Sequence, residues 1–205
     1  MIRLNIISRI AGDKDFFSHY LETVSEIFSE NNITIFVNFI GPIEDLNTYN
    51  KIIKYCTKHG IEKQISFTKK ALPYCEIENT KKDVFLNASI GSFIGYSSIE
   101  SIENSFKTIF FNVDETSFIK KKYISFCQNK TEFKDLILKI VFDNNTLNLI
   151  EKENKEIFKS FHLDTEEKQL LLNILNGKKK KKITKYQSLL LITTMVIFLK
   201  IVMIV

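Results

Sequence analysis

Three short apolar runs constrain this chain more than any other feature: Arg3 to Ser8 (RLNIIS), Ile33 to Ile40 (ITIFVNFI) and Asp83 to Ala88 (DVFLNA). Each is nearly continuous in apolar and β-branched residues rather than alternating, which is the pattern of a strand covered on both faces. The segments between them repeat instead at helical spacing. Phe16, Phe17, Tyr20, Leu21, Val24, Ile27 and Phe28 form one such stripe, broken by Asn31 and Asn32. A second helix is predicted from Leu46 to Lys58, closed by Gly60, with Gly41 and Pro42 expected to end the strand before it. A short strand at Gln64 to Phe67, a helix from Ser98 to Phe106, strands at Thr108 to Val113 and Tyr123 to Phe126, and helices from about Lys130 complete the pattern. Strands alternating with helices predict an α/β fold with a doubly wound parallel sheet, Rossmann-like in type. Ligands of such sheets sit at the carboxyl ends of the strands, so the search for chemistry narrows to the loops after Ser8, Ile40, Phe67, Ala88 and Val113.

With 205 residues, 44% of them hydrophobic, the chain can bury one good core. The expected division is a domain over residues 1–177 followed by a polylysine linker and apolar tail over 178–205. The net charge of +5 is matched by the five consecutive lysines Lys178 to Lys182, so the body is close to neutral. No basic stripe interleaved with aromatic residues is visible, which argues against nucleic acid as a partner. Cys56, Cys75 and Cys127 are odd in number and widely spaced, which fits free thiols in a reducing compartment and gives no zinc or redox motif. The residues after Met1 run straight into a strand pattern without the apolar core of a secretory signal, so a cytoplasmic location is expected.

Two of the five loops hold residues suited to a phosphorylated ligand. The first, Ser8-Arg9-Ile10-Ala11-Gly12-Asp13-Lys14, places the cations Arg9 and Lys14 five residues apart where a strand gives way to a helix, a spacing that can clamp a diphosphate. Ordinary solvated surface charges are the alternative. The other loop leads through Gly91, Ser92 and Gly95 into the helix holding Glu100. A glycine turn opening a helix presents backbone N–H groups and the positive end of a dipole to phosphate. Glu100 can accept hydrogen bonds from vicinal sugar hydroxyls; equally, Ser97-x-x-Glu100 can be a capping box that serves only the helix end. Neither a Gly-x-Gly-x-x-Gly after the first strand nor a Walker loop occurs.

Taken together, these segments resemble the C-terminal donor lobe of family 4 (group 1) retaining glycosyltransferases of the GT-B fold. That lobe opens with a strand and a Gly-Arg-Leu-x-x-x-Lys-Gly loop, and Ser8-Arg9-Ile10 through Lys14-Asp15 resembles it in both cations. Its Ala-Asp-Val-Phe-Leu-x-x-Ser strand is similar to Lys82 to Ser89, and its Glu-Gly-Phe-Gly-Leu-x-x-x-Glu-Ala segment to Ser92 to Ser101. The Ile40-Gly41-Pro42 turn falls in the corresponding place, and the resemblance runs from about Ile2 to Leu175.

The resemblance implies a glycosyltransferase donor domain, one lobe of a GT-B fold, that takes a nucleoside-diphosphate sugar as donor substrate and needs no metal; no Asp-x-Asp occurs in the expected loops. Arg9 and Lys14 would stabilise the diphosphate as the glycosidic bond breaks. Gly95 and the amides of Tyr96, Ser97 and Ser98 would face phosphate, Glu100 would hold the ribose, and residues from Thr68 to Glu76 would meet the base. The first glutamate of the motif, which lies near the transferred sugar, is here Ser92 and carries no charge. The family places an acceptor-binding lobe before the donor lobe, whereas this sequence starts on the donor lobe's first strand. The expectation is therefore an acceptor lobe supplied by a separate polypeptide and weak transfer by this chain alone. Hexosyl transfer to a glycan or lipid-linked acceptor in bacterial envelope, capsule or lipopolysaccharide synthesis is the implied role. The rival is a truncated, non-catalytic remnant that binds nucleotide sugar or only keeps the fold.

Beyond Lys182 the run Ser188 to Val205 is apolar except for Thr193, Thr194 and Lys200. Two readings stay open. Residues 183–205 can attach the chain to the cytoplasmic face of the inner membrane, with the lysines drawn to anionic lipid. Alternatively, the lysine codons form an adenine tract at which slippage places the tail out of frame.

Overall fold

The computed structural model describes residues 2–13, 17–86, 95–111 and 123–160, together with 166, 168, 169 and 172; at Tyr96 and Asn144 the backbone alone is described. The chain divides into two compact units, Met1–Phe158 and Lys159–Val205, and the sheet belongs to the first. Its elements are β1 (Ile2–Ile7), α1 (Phe17–Asn31), β2 (Ile35–Pro42), α2 (Leu46–Lys58), β3 (Ile65–Lys69), β4 (Asp83–Leu86), α3 (Tyr96–Glu103), β5 (Thr108–Phe111), β6 (Phe126–Cys127), α4 (Lys130–Phe142) and α5 (Asn144–Ser160). Short 3-10 turns precede β3 at Glu62–Gln64 and follow it at Tyr74–Glu76.

All pairings are parallel, in the order β3-β2-β1-β4-β5-β6. The α/β, doubly wound, Rossmann-like expectation is therefore met. Strand β1 lies between β2 and β4, with Ile7 opposite Ile40 and Ile6 opposite Leu86. Chain winding reverses at β1 and β4, and the crevice for a ligand opens where the loops after these two strands part.

The core follows from the patterns that predicted it. Phe17, Tyr20, Leu21, Val24 and Ile27 all lie buried along one side of α1 and join Leu4, Ile6, Val37 and Phe39 from the sheet with Phe133 and Ile137 from α4. A smaller cluster of Ile40, Ile77, Phe85 and Phe106 covers the opposite face. Helix α2 starts at Asp45, whose carboxylate accepts from the Asn47 and Thr48 amides at 3.1 Å and is held below its ordinary value, first by the Thr48 hydroxyl. It ends in a Schellman arrangement: the Ile61 amide reaches the Cys56 carbonyl and the Gly60 amide the Thr57 carbonyl, with Gly60 at φ 68°. Helix α5 ties down the far strands. Asn154 accepts from the Thr108 amide at 2.6 Å and donates to the Thr108 carbonyl at 3.0 Å, while the Glu153 carboxylate takes the Ile124 and Ser125 amides at 3.0 Å each. One polar row crosses the sheet: Asn38 donates to the buried Asn5 at 3.2 Å, and Ser66 donates to Asn38 at 3.0 Å.

Several boundaries differ from those predicted. Strand β2 continues through Gly41 and Pro42, because Pro42 still offers a carbonyl that the Ile10 amide uses at 2.9 Å and pairs with Lys69 beyond a register shift. Helix α3 begins at Tyr96 rather than Ser98 and stops at Glu103, with Ser105 at φ 63° turning the chain back. β6 is Phe126–Cys127 rather than Tyr123 to Phe126. The expected strand ends at Ala88 and Val113 lie outside the described residues.

Candidate functional site

The first loop is built by a close approach of β1 and β2. The Ser8 amide donates to the Ile40 carbonyl at 3.0 Å and the Ile10 amide to Pro42, while the Ile10 carbonyl receives the Glu44 and Asp45 amides at 2.9 and 3.0 Å. Between these bonds Gly41 presses so near that a Cβ there would lie 2.2 Å from the Ser8 carbonyl oxygen. The Ile40-Gly41-Pro42 turn is thus a contact that only glycine fits, and it fixes where Arg9 emerges.

Arg9 is half exposed, and its guanidinium is already engaged. Nη1 donates to Glu44 at 2.7 Å and Nη2 to Asp13 at 3.0 Å. Hydrogen bonding to Glu44, then the charges of Asp13 and Glu44, raise the guanidinium further above its ordinary value. A phosphate approaching Arg9 therefore meets a cation oriented and partly neutralised by two carboxylates. Lys14, predicted as its partner, lies outside the described residues, as does Ser92.

At the second loop, Gly95 is buried, has φ 84° and occupies the N-cap of α3, where it brings no capping side chain of its own. Tyr96, Ser97 and Ser98 are the first three helical residues, as a phosphate-facing helix start requires. This placement removes the capping-box alternative. A capping box needs Ser97 at the N-cap and Glu100 three residues on, but Ser97 is the second helical residue and Glu100 the fifth, exposed to solvent. Glu100 lies near Tyr74, whose hydroxyl is 3.5 Å from Glu100 Oε2. The same hydroxyl donates to the Ser97 carbonyl at 2.9 Å and lies 3.5 Å from Ser101 Oγ.

Sequence reasoning missed Tyr74, Glu44 and Asp13. Tyr74 fell inside the Thr68 to Glu76 region expected to meet a base, without a signal that it reaches α3. Glu44 stands 35 positions from Arg9, and the only pointer to it was its place in the loop after β2.

Cys56 and Cys127 are buried, with burial the main cause of thiols pushed up to about 11 and about 12, and Cys75 is exposed; all three are free. No group of three or more His, Cys, Asp or Glu side chains able to hold a metal occurs among the described residues. Nor is any described helix long and apolar enough to cross a membrane; residues 183–205 lie outside that description. A cavity of about 440 Å³ beside β6 and α4 and a groove of about 150 Å³ between α1 and α2 are lined by neither Arg9 nor Glu100.

No protein-family profile matches the chain, and no curated protein matches it in sequence. Solved structures do match in fold. The C-terminal domain of a glycosyl transferase group 1 family protein (LpcC) from Francisella tularensis superposes with a TM-score of 0.59 at 15% identity, over 78% of this chain and 83% of that domain. TarM from S. aureus, in a complex with fondaparinux, α-GlcNAc-glycerol and UDP, gives a TM-score of 0.59 at 17% identity, over 87% of this chain and 35% of TarM. The lipopolysaccharide outer core galactosyltransferase WaaB gives 0.52 at 14% identity, over 74% of this chain and 44% of WaaB. The chain thus has the fold of a single lobe of the GT-B group 1 glycosyltransferases and spans less than half of the longer chains TarM and WaaB.

Proposed function

We propose that this chain is a glycosyltransferase donor domain that binds a nucleoside-diphosphate sugar between the loops after β1 and β4. The observation that carries the reading is Glu100: it stands exposed in α3, spared from capping, five residues beyond a buried glycine that opens the helix. Ribose hydroxyls donate to the Glu100 carboxylate, and the diphosphate lies at the first turn of α3, near the amides of Tyr96, Ser97 and Ser98. Arg9, with Lys14, neutralises the charge that gathers on the diphosphate as its bond to the anomeric carbon breaks. The leaving diphosphate keeps the bonding electron pair, and an acceptor hydroxyl forms the new bond and releases its proton.

That acceptor is a glycan or lipid-linked hydroxyl, in bacterial envelope polysaccharide synthesis. The donor domain covers residues 1–177 and works in the cytoplasm, with residues 183–205 as the segment that meets the membrane. Ser92 and the prior engagement of Arg9 by Glu44 and Asp13 favour a second reading, a module that binds the donor without transferring it.

Calorimetric titration of the full chain with UDP-, GDP-, ADP- and dTDP-sugars tests the proposal. Binding of one of them, weakened about tenfold or more in Glu100→Gln with little change in melting temperature, is expected. A chain that binds none is not a donor domain. Binding without turnover, even with an acceptor lobe present, selects the second reading.

A further inference from the structure

The crossover from β3 to β4 carries a tyrosine that is rooted on one side and polar on the other. The Tyr74 ring lies 5.8 Å from Phe106 and 6.4 Å from Phe85, and these two rings are themselves 4.2 Å apart. They belong to the small cluster with Ile40 and Ile77, against which Tyr74 and Leu72 pack. A ring fixed in this way can deliver its hydroxyl to one place only, and that place is the first two turns of α3. The hydroxyl donates to the Ser97 carbonyl at 2.9 Å and has Glu100 Oε2 and Ser101 Oγ each 3.5 Å away.

The proton inventory makes this group more than packing. Tyr74 has one proton, and its shorter bond goes to Ser97. Ser101 donates to the same carbonyl at 2.5 Å. If the tyrosine proton turns to Glu100, the Ser97 carbonyl keeps a donor and is not left bare. Burial, with the nearby Glu100 charge adding to it, pushes the tyrosine up to about 12, so the hydroxyl stays protonated at neutral pH.

We propose that Tyr74 is the positioning residue for Glu100: anchored on Phe85 and Phe106, its hydroxyl sets the carboxylate against the first turn of α3 so that the ribose diol meets it in one orientation. With its proton turned from the Ser97 carbonyl to Glu100, the tyrosine steadies one carboxylate oxygen, and the other is left for the sugar. The loop after β3 then contributes to ribose recognition as well as to any contact with the base. This inference rests on the donor-binding reading.

The test uses the full chain with UDP, GDP and ADP, and with the 2′,3′-dideoxy counterpart of whichever binds best. The ratio of the dideoxy to the parent dissociation constant reads the ribose contact alone. In the wild type it should be about ten or more, as expected when a charged hydrogen bond is lost. Tyr74→Phe keeps the ring and removes the hydroxyl; it should cut the ratio about threefold or more while leaving the dideoxy affinity unchanged. Glu100→Ala should abolish the ratio, and the Tyr74→Phe/Glu100→Ala pair should be no worse than Glu100→Ala. An unchanged ratio in Tyr74→Phe overturns the proposal. So does an equal loss for both ligands, which marks a role in the fold alone. Wild-type binding with a ratio of one leaves the donor site standing and removes this assignment, whereas no binding of any nucleotide removes both.

Discussion

Replacing Gly41 by alanine isolates the contact on which the first loop depends. The new Cβ would lie 2.2 Å from the Ser8 carbonyl oxygen, 2.7 Å from the Ser8 carbonyl carbon and 3.2 Å from the Arg9 nitrogen. All three are backbone atoms, so no side chain can swing aside. Retreat of the two segments is opposed by the Ser8–Ile40 bond on one side and the Ile10–Pro42 bond on the other. Relief demands about 1 Å of backbone movement and the loss of one or both bonds, which places the cost at about 3 kcal/mol or more. Gly60→Ala is the matched control. Gly60 has φ 68° but nothing within 4 Å of its Cβ direction, so its cost is the backbone term alone, about 1 kcal/mol. In a domain of this size each kcal/mol shifts the melting temperature by roughly 2–4 °C, so Gly41→Ala should melt about 6–12 °C below wild type and Gly60→Ala about 2–4 °C below. Differential scanning calorimetry of the two variants decides it. Melting within about 2 °C of each other would show that the β1–β2 contact yields easily and that the reasoning is wrong.

Further outcomes follow from the same geometry. Asn154→Leu removes both bonds to a completely buried Thr108 backbone and should cost about 2–4 kcal/mol in urea unfolding; a loss below about 1 kcal/mol would mean that Thr108 finds other partners. Cys75 should react with a thiol reagent well before Cys56 and Cys127, since it alone is exposed and the other two thiols are raised by burial. Mass mapping of the first modified cysteine checks this, and early labelling of Cys127 would contradict the packing around β6.

The sheet was legible because its code is local. Continuous apolar runs at Arg3 to Ser8 and Ile33 to Ile40 are the pattern of strands covered on both faces, and the stripe from Phe17 to Ile27 between them marks a helix with one side to bury, as in a parallel sheet. Boundaries were less legible where a tertiary contact extends or trims an element. Pro42 reads as a stop, yet it stays in β2 because its carbonyl is used by Ile10. Ser97 reads as an N-cap, but Gly95, with its positive φ, turns the chain into the helix two residues earlier. The candidate site was half legible for a related reason. Residue type and loop position pointed to Arg9 and Glu100, whereas their neighbours Glu44 and Tyr74 come from other loops, and no spacing rule connects them.

The polar row across β1, β2 and β3 bears on how this sheet avoids misassembly. Strands of continuous Ile, Val, Leu and Phe carry little information about alignment, because sliding one past another still sets apolar against apolar. Asn5 breaks that degeneracy. In the observed register it faces Asn38; a slip of one residue would set it against Val37 or Phe39, and a slip of two against Phe36 or Ile40. Each alternative removes the bond that Asn38 donates to Oδ1 of the completely buried Asn5, at about 1–3 kcal/mol, the cost of a polar group left without its partner. Two asparagines thus act as an alignment mark in an otherwise uniform hydrophobic text, and by holding β1 level with β2 they also determine where the loops bearing Arg9 and Glu44 meet.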